Sequence, residues 1–237
     1  MSRAYDKMLN RLNAYRKMQN MSQENMGSVM GITQSHYSKL ESGKKIISGE
    51  ELYKLKKKGI DVDYLFSGTK SLHTVLDELM EDCRREKKAD LLQLMVWTIQ
   101  QGMGNTQMEG SAAARCTREI ELLRYQAFPH TSENTVWYRI RMANEMTQIE
   151  MAEALDVSVK RYREIEKGNT RASAEVAAAL YDTMGYLPSI ILEEDVVNLS
   201  CLNHIWKEFE EELQKELEVF IRKGCRLLEC RPGGRSE

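Results

Sequence analysis

The sequence predicts an all-α protein built around a duplicated domain, and three observations carry that expectation. The chain has 237 residues with only 3 Pro and 14 Gly, so helix-breaking residues are few. Apolar residues follow helical spacing in two long stretches, Leu72 to Cys83 and Leu202 to Ile221. A block at 21–43 aligns without a gap onto 146–168, at a constant offset of 125. Self-similarity over a whole unit of this size marks a duplicated domain rather than a short stacked repeat.

Met21, Gln23, Met26, Tyr37, Glu41 and Gly43 recur as Met146, Gln148, Met151, Tyr162, Glu166 and Gly168, and Arg16 recurs as Arg141. Each copy reads as two short helices and a tight turn. Ser22 and Thr147 are N-caps, and Thr147 with Glu150 has the spacing of a capping box. Met26, Val29 and Met30 share one face, as do Met151, Ala154 and Leu155. Gly31 and Asp156 tolerate the left-handed turn that ends the first helix. Thr33 and Ser158 cap the second helix, whose inward residues are Tyr37 with Leu40, and Tyr162 with Ile165. Gly43 and Gly168 close it. Two short helices joined in this way form a helix-turn-helix.

The runs S-Q-x-x-M-G…G-I-T-Q-S-x-Y-S-K-L-E-S-G-K at 22–44 and T-Q-x-E-M-A…D-V-S-V-K-x-Y-R-E-I-E-K-G at 147–168 resemble the phage-repressor and Cro-like (XRE-type) helix-turn-helix family. The resemblance implies two five-helix repressor-like domains, fitting 5–68 and 132–193, in a bacterial or phage-derived chain. The expected organisation is a first domain at 1–70, a helical linker or interaction region at 71–130, a second domain at 131–195, and a C-terminal amphipathic helix with a tail at 196–237. It also implies that Arg16–Glu41 and Arg141–Glu166 pair across each fold, fixing helix orientation. The third helix of each copy is then expected in the major groove. In the first copy Gln34, Ser35, Ser38 and Lys39 face the bases, since Gln suits adenine and Lys suits guanine. Gln23, Lys44 and Lys45 are expected at phosphates, and His36 either there or in solvent. The second copy offers Gln148, Val159, Lys160, Arg161, Arg163, Asn169 and Arg171.

Charge supports that reading unevenly. The chain carries a net −2, yet residues 1–70 carry +6 and residues 131–195 carry −5. Within the second copy the basic residues gather at 158–171, with a local net of +3. A basic segment beside an acidic body suits a polyanion at one end of the molecule.

Between the copies, LLQLMVWTI at 91–99 reads as a buried helix and GMGNTQMEGSAAA at 102–114 as a linker. The stripe of Leu202, Ile205, Trp206, Phe209, Leu213, Leu217, Phe220 and Ile221 needs a partner, within the chain or in a second subunit. A homodimer through this C-terminal helix or the 71–100 helices is therefore open. No Gly-rich phosphate loop, nucleophile elbow or paired-His motif occurs, so no enzyme is expected. Cys201, His204, Cys225 and Cys230 lack trusted zinc spacing, and neither metal nor cofactor is expected. Five scattered cysteines, no apolar signal segment and no long apolar run fit reduced thiols in a cytoplasmic protein.

The expected function is sequence-specific double-stranded DNA binding by a transcriptional regulator, a repressor in which one chain supplies both reading helices. The alternative is a protein-interaction adaptor, binding a toxin or a polymerase subunit, whose second copy does not read DNA.

Overall fold

The computed structural model describes residues 3–70, 72–104, 120, 135–192 and 199–230, and these are helical without a strand. The first copy comprises α1 (Arg3–Met18), α2 (Gln23–Met30), α3 (Gln34–Glu41), α4 (Gly49–Lys57) and α5 (Val62–Ser67). Helices α6 (Val75–Glu81) and α7 (Lys88–Gly104) follow. The second copy holds α8 (Val136–Ala143), α9 (Gln148–Ala154), α10 (Val159–Glu166), α11 (Ala174–Met184) and α12 (Ser189–Leu192). Helices α13 (Ser200–Glu208) and α14 (Glu211–Leu227) come last.

Caps define these short helices at the expected places. Ser22, Thr33, Thr147 and Ser158 each accept a bond from the backbone N–H three residues on, and Thr147 forms the reciprocal box with Glu150. The left-handed turn between the two helices falls on Gly31 in one copy, and on Asp156, φ 54°, in the other. Asn20 and Glu145 repeat a second left-handed position, at φ 52° and 54°.

The chain divides into two compact units: residues 1–71 with 135–194, and residues 72–134 with 195–237. The first unit unites both copies of the repeat. Its core joins Tyr5, Met8, Leu12, Met26, Tyr37, Leu40 and Phe66 of the first copy to Ala174, Ala177, Ala178 and Leu192 of the second. The small side chains of α11 let it lie close along α1.

The copies also meet through equivalent residues. Ala174 N–H donates to Ile47 O at 2.9 Å, while a Cβ built on Gly49 would lie 2.4 Å from Ala172 O. Since 47 and 172 are equivalents, as are 49 and 174, each copy offers the same loop to the other. This is the signature of a two-fold, isologous contact, here within one polypeptide. A second contact joins the copies, where the buried Asp63 carboxylate accepts from Ser189 N–H at 2.9 Å and from its hydroxyl at 2.5 Å. Burial pushes the Asp63 carboxyl above its ordinary pKa, against the lowering effect of those bonds.

In the second unit, Leu76, Leu79, Leu91, Leu92, Met95, Leu202, Ile205, Trp206, Phe209 and Ile221 share one core. The helices expected as a linker and as a C-terminal segment thus pack on each other. Much of the 202–221 stripe is covered by its own chain. That stretch is also two helices rather than one. Phe209 turns extended at ψ 143°, and Gln214 Nε2 donates to both Trp206 O and Phe209 O at 2.8 Å. A side chain thereby satisfies the carbonyls that a broken helix leaves open. Trp97, within the stretch expected to be buried, is half exposed. Residues 102–104 belong to α7, and 105–114 of the expected linker lie outside the described residues.

The contact between the copies is testable at Gly49. A methyl there meets backbone, which has little freedom to yield, so Gly49→Ala should cost about 1–3 kcal/mol in urea unfolding. An unchanged midpoint would mean that the 47–49 and 172–174 loops do not hold the copies together.

Candidate nucleic-acid interface

Each repeat is organised around one carboxylate at the end of its second short helix. Arg16 Nε donates to Glu41 Oε1 at 2.7 Å and its Nη2 to Oε2 at 3.2 Å, while Nη1 reaches Met21 O at 2.9 Å. The guanidinium thus ties α1 to the end of α3 and to the loop before α2. In the second copy Arg141 Nε donates to Glu166 Oε1 at 2.5 Å and Nη1 to Met146 O at 3.0 Å. The expected ion pairs are present in both copies. Tyr37 and Tyr162 are fully buried, and their hydroxyls donate to the same carboxylates at 3.2 and 3.4 Å. Burial, reinforced by those carboxylates, pushes both phenols above their ordinary pKa.

Burial works against the charge on Glu41, but the bonds from Arg16 and Gln23 outweigh it, so its carboxyl titrates below the ordinary value of 4.5. An ionised carboxylate only accepts hydrogen bonds. That constraint orients the next residue outward. Gln23 donates Nε2 to Glu41 Oε2 at 2.8 Å, and Gln148 donates Nε2 to Glu166 Oε2. Each amide must therefore turn its carbonyl oxygen toward the exposed edge of the helix pair.

What meets that oxygen differs between the copies. Gln34 Nε2, at the start of α3, donates to Gln23 Oε1 at 2.9 Å. Arg163 Nε, one turn into α10, donates to Gln148 Oε1 at 3.0 Å. The first bond leaves Gln34 with its carbonyl oxygen and a second N–H. The other leaves Arg163 with both terminal nitrogens of its fork.

The remaining expected residues divide by position. Gln34, Ser35, Lys39, Lys44 and Lys45 are exposed, and Ser38 is partly so. His36 turns toward α4, with Nε2 3.2 Å from Glu51 Oε1. In the second copy Lys160, Arg161, Arg163 and Asn169 are exposed, and Val159 is partly buried. Asn169 Nδ2 donates to Glu164 Oε2 at 3.0 Å. Arg171, expected at DNA, lies against the first copy: its Nε is 2.6 Å from Glu50 Oε1, and its guanidinium sits 4.4 Å from the Tyr53 ring centre.

Sequence reasoning placed Gln23 at a phosphate and Gln148 among the DNA-binding residues of the second copy, and missed their bonds to the carboxylates. The signal was present as a Gln-to-Glu separation of 18 residues in both copies. A separation alone does not show that two side chains meet.

The helix-turn-helix family model matches residues 12–58 and 138–189, one match in each copy. No curated protein and no solved structure gives a significant match to the chain. Among the described residues no helix is long and apolar enough to cross a membrane.

The Arg–Glu pair predicts acid sensitivity with a definite sign. Glu41 titrates lower when folded than when unfolded, so its contribution is complete above 4.5 and is lost as pH falls below that value. Glu41→Gln should cost roughly 2–3 kcal/mol near neutrality, less than for a fully buried pair because both groups stay partly hydrated. Urea unfolding from about pH 7 down to about pH 3 should bring parent and variant closer together as the carboxyl protonates. A gap that stays constant across that range would contradict the assignment.

Proposed function

On the premise that this chain carries two helix-turn-helix domains in a single polypeptide, we propose that it is a transcriptional repressor that binds double-stranded DNA sequence-specifically. In this reading α3 and α10 each enter a major groove, and the bound protein occludes a promoter. The reading rests above all on the hydrogen-bond relay that ends at Gln34 in one copy and Arg163 in the other. Gln34 keeps the acceptor and donor that match N6 and N7 of adenine. Arg163 keeps a fork that matches O6 and N7 of guanine. Unlike residues at the ends of the relays imply unlike half-sites. Lys44 and Lys45, with Lys160 and Arg161, supply phosphate contacts around them.

The isologous packing of the copies supports the same reading. Single-domain repressors bring two reading helices to DNA by pairing two chains; here the second copy arrives covalently, at high effective concentration. A weak contact by the acidic second copy can then still contribute.

Binding by the full chain to a duplex selected from a random pool tests this. Gln34→Ala should cost about 1–3 kcal/mol on the selected site and little on random duplex. The double variant Lys160→Ala with Arg163→Ala should also weaken the selected site, and affinity should fall steeply as salt rises. Parental affinity in the double variant would remove the second copy from the DNA. Absence of salt-dependent binding to any duplex would leave the adaptor function instead.

A further inference from the structure

The second unit buries most of α7 and one side of α14 and leaves four large apolar side chains of these helices exposed. Trp97 of α7 is 50% exposed and Phe220 of α14 is 46% exposed, with ring centres 5.6 Å apart. Val219 and Leu227 of α14 are exposed beside them, at 52% and 87%. These four are separate from the 202–221 residues that the unit's core takes up. At helical spacing Glu212, Glu216, Lys223 and Arg226 rise from the same outer side of α14, and all four are exposed. An aromatic centre flanked by charges has the composition of a contact surface.

The charges indicate what covers it. In the first half of α14 the exposed charges are Glu211, Glu212 and Glu216, with Lys215 the one base; in the second half they are Lys223 and Arg226, with no acid. Glu218 and Arg222 are paired with each other at 2.7 Å. Two such helices set parallel would oppose Glu216 to Glu216 and Lys223 to Lys223. Set antiparallel about an axis between Val219 and Phe220, they oppose Glu216 to Lys223 and bring Glu212 beside Arg226. Lys215 then falls opposite Gly224 rather than opposite another base.

We propose that the Trp97–Val219–Phe220 face of the second unit binds a second copy of the same chain, with the two α14 helices antiparallel. The aromatic pair from each chain fills the centre and the Glu216–Lys223 pairs set the register. Opposed charges of this kind govern register and partner choice more than raw affinity. The resulting dimer carries four helix-turn-helix copies. Nothing in this inference depends on the DNA-binding reading.

Sedimentation equilibrium of the full chain tests it, with circular dichroism confirming that each variant is folded. The parent should be dimeric at tens of micromolar, and Phe220→Glu should be monomeric there. Glu216→Lys alone and Lys223→Glu alone should each weaken association by about tenfold or more, since each creates like-charged pairs. Mixing those two variants should restore association as heterodimers, because each presents the charge that the other lacks. A parent that is monomeric throughout would overturn the proposal. So would association that neither single variant weakens, or that mixing does not restore. If the charge gradient serves only the dipole of α14, the single variants will shift the melting temperature without changing association; that result also overturns it.

Discussion

One nearly buried carboxylate in each repeat sets the conditions for everything around it. Removed from water, Glu41 must find donors, and the fold supplies them from α1, from the start of α2 and from within α3. Three helices are thereby held to a common point. The same carboxylate fixes the polarity of Gln23, and through it the orientation of Gln34 at the surface. A requirement of the interior is passed to the exposed edge by two hydrogen bonds. Glu166 does the same in the second copy and delivers Arg163 instead of Gln34.

The duplication adds a second constraint. Because the loops at 47–49 and 172–174 contact each other as equivalents, neither copy has this surface free for another partner. Gly49 allows the approach, since a side chain there would strike the backbone of residues 171 and 172. Arg171 illustrates the competition: its charge lies at Glu50 and Tyr53, within the packing between the copies. Basic charge that lies close to α10 in the sequence is therefore taken up in part by packing between the copies. The two surfaces can also diverge independently, since Gln34 and Arg163 are each held by a glutamine of their own copy.

Local chemistry was the most legible part of the sequence. Caps, left-handed turns and buried tyrosines follow from residue type and short spacing, and the constant offset revealed the duplication directly. The Arg–Glu pairing was legible because it occurs twice at the same separation. Long-range choices were not. The alanines of α11 fit any close helix contact, and nothing local says that α1 of the other copy takes that place. Phe209 and Glu210 carry no breaker, so the end of α13 depends on Gln214, which reaches back only once the chain has folded. Trp97 reads as core by hydropathy, although α7 has more apolar residues than its packed side can take. The amide relay through Gln23 and Gln148 needed three-dimensional proximity, and so did the diversion of Arg171.

The central claim is that one polypeptide places two unlike reading surfaces on DNA. Hydroxyl-radical footprinting of the full chain on a selected duplex tests it most directly. The account predicts two protected segments of different sequence, with protection of one lost selectively when Arg163 is replaced and of the other when Gln34 is replaced. A single protected segment, unaffected by any change in the second copy, would contradict it.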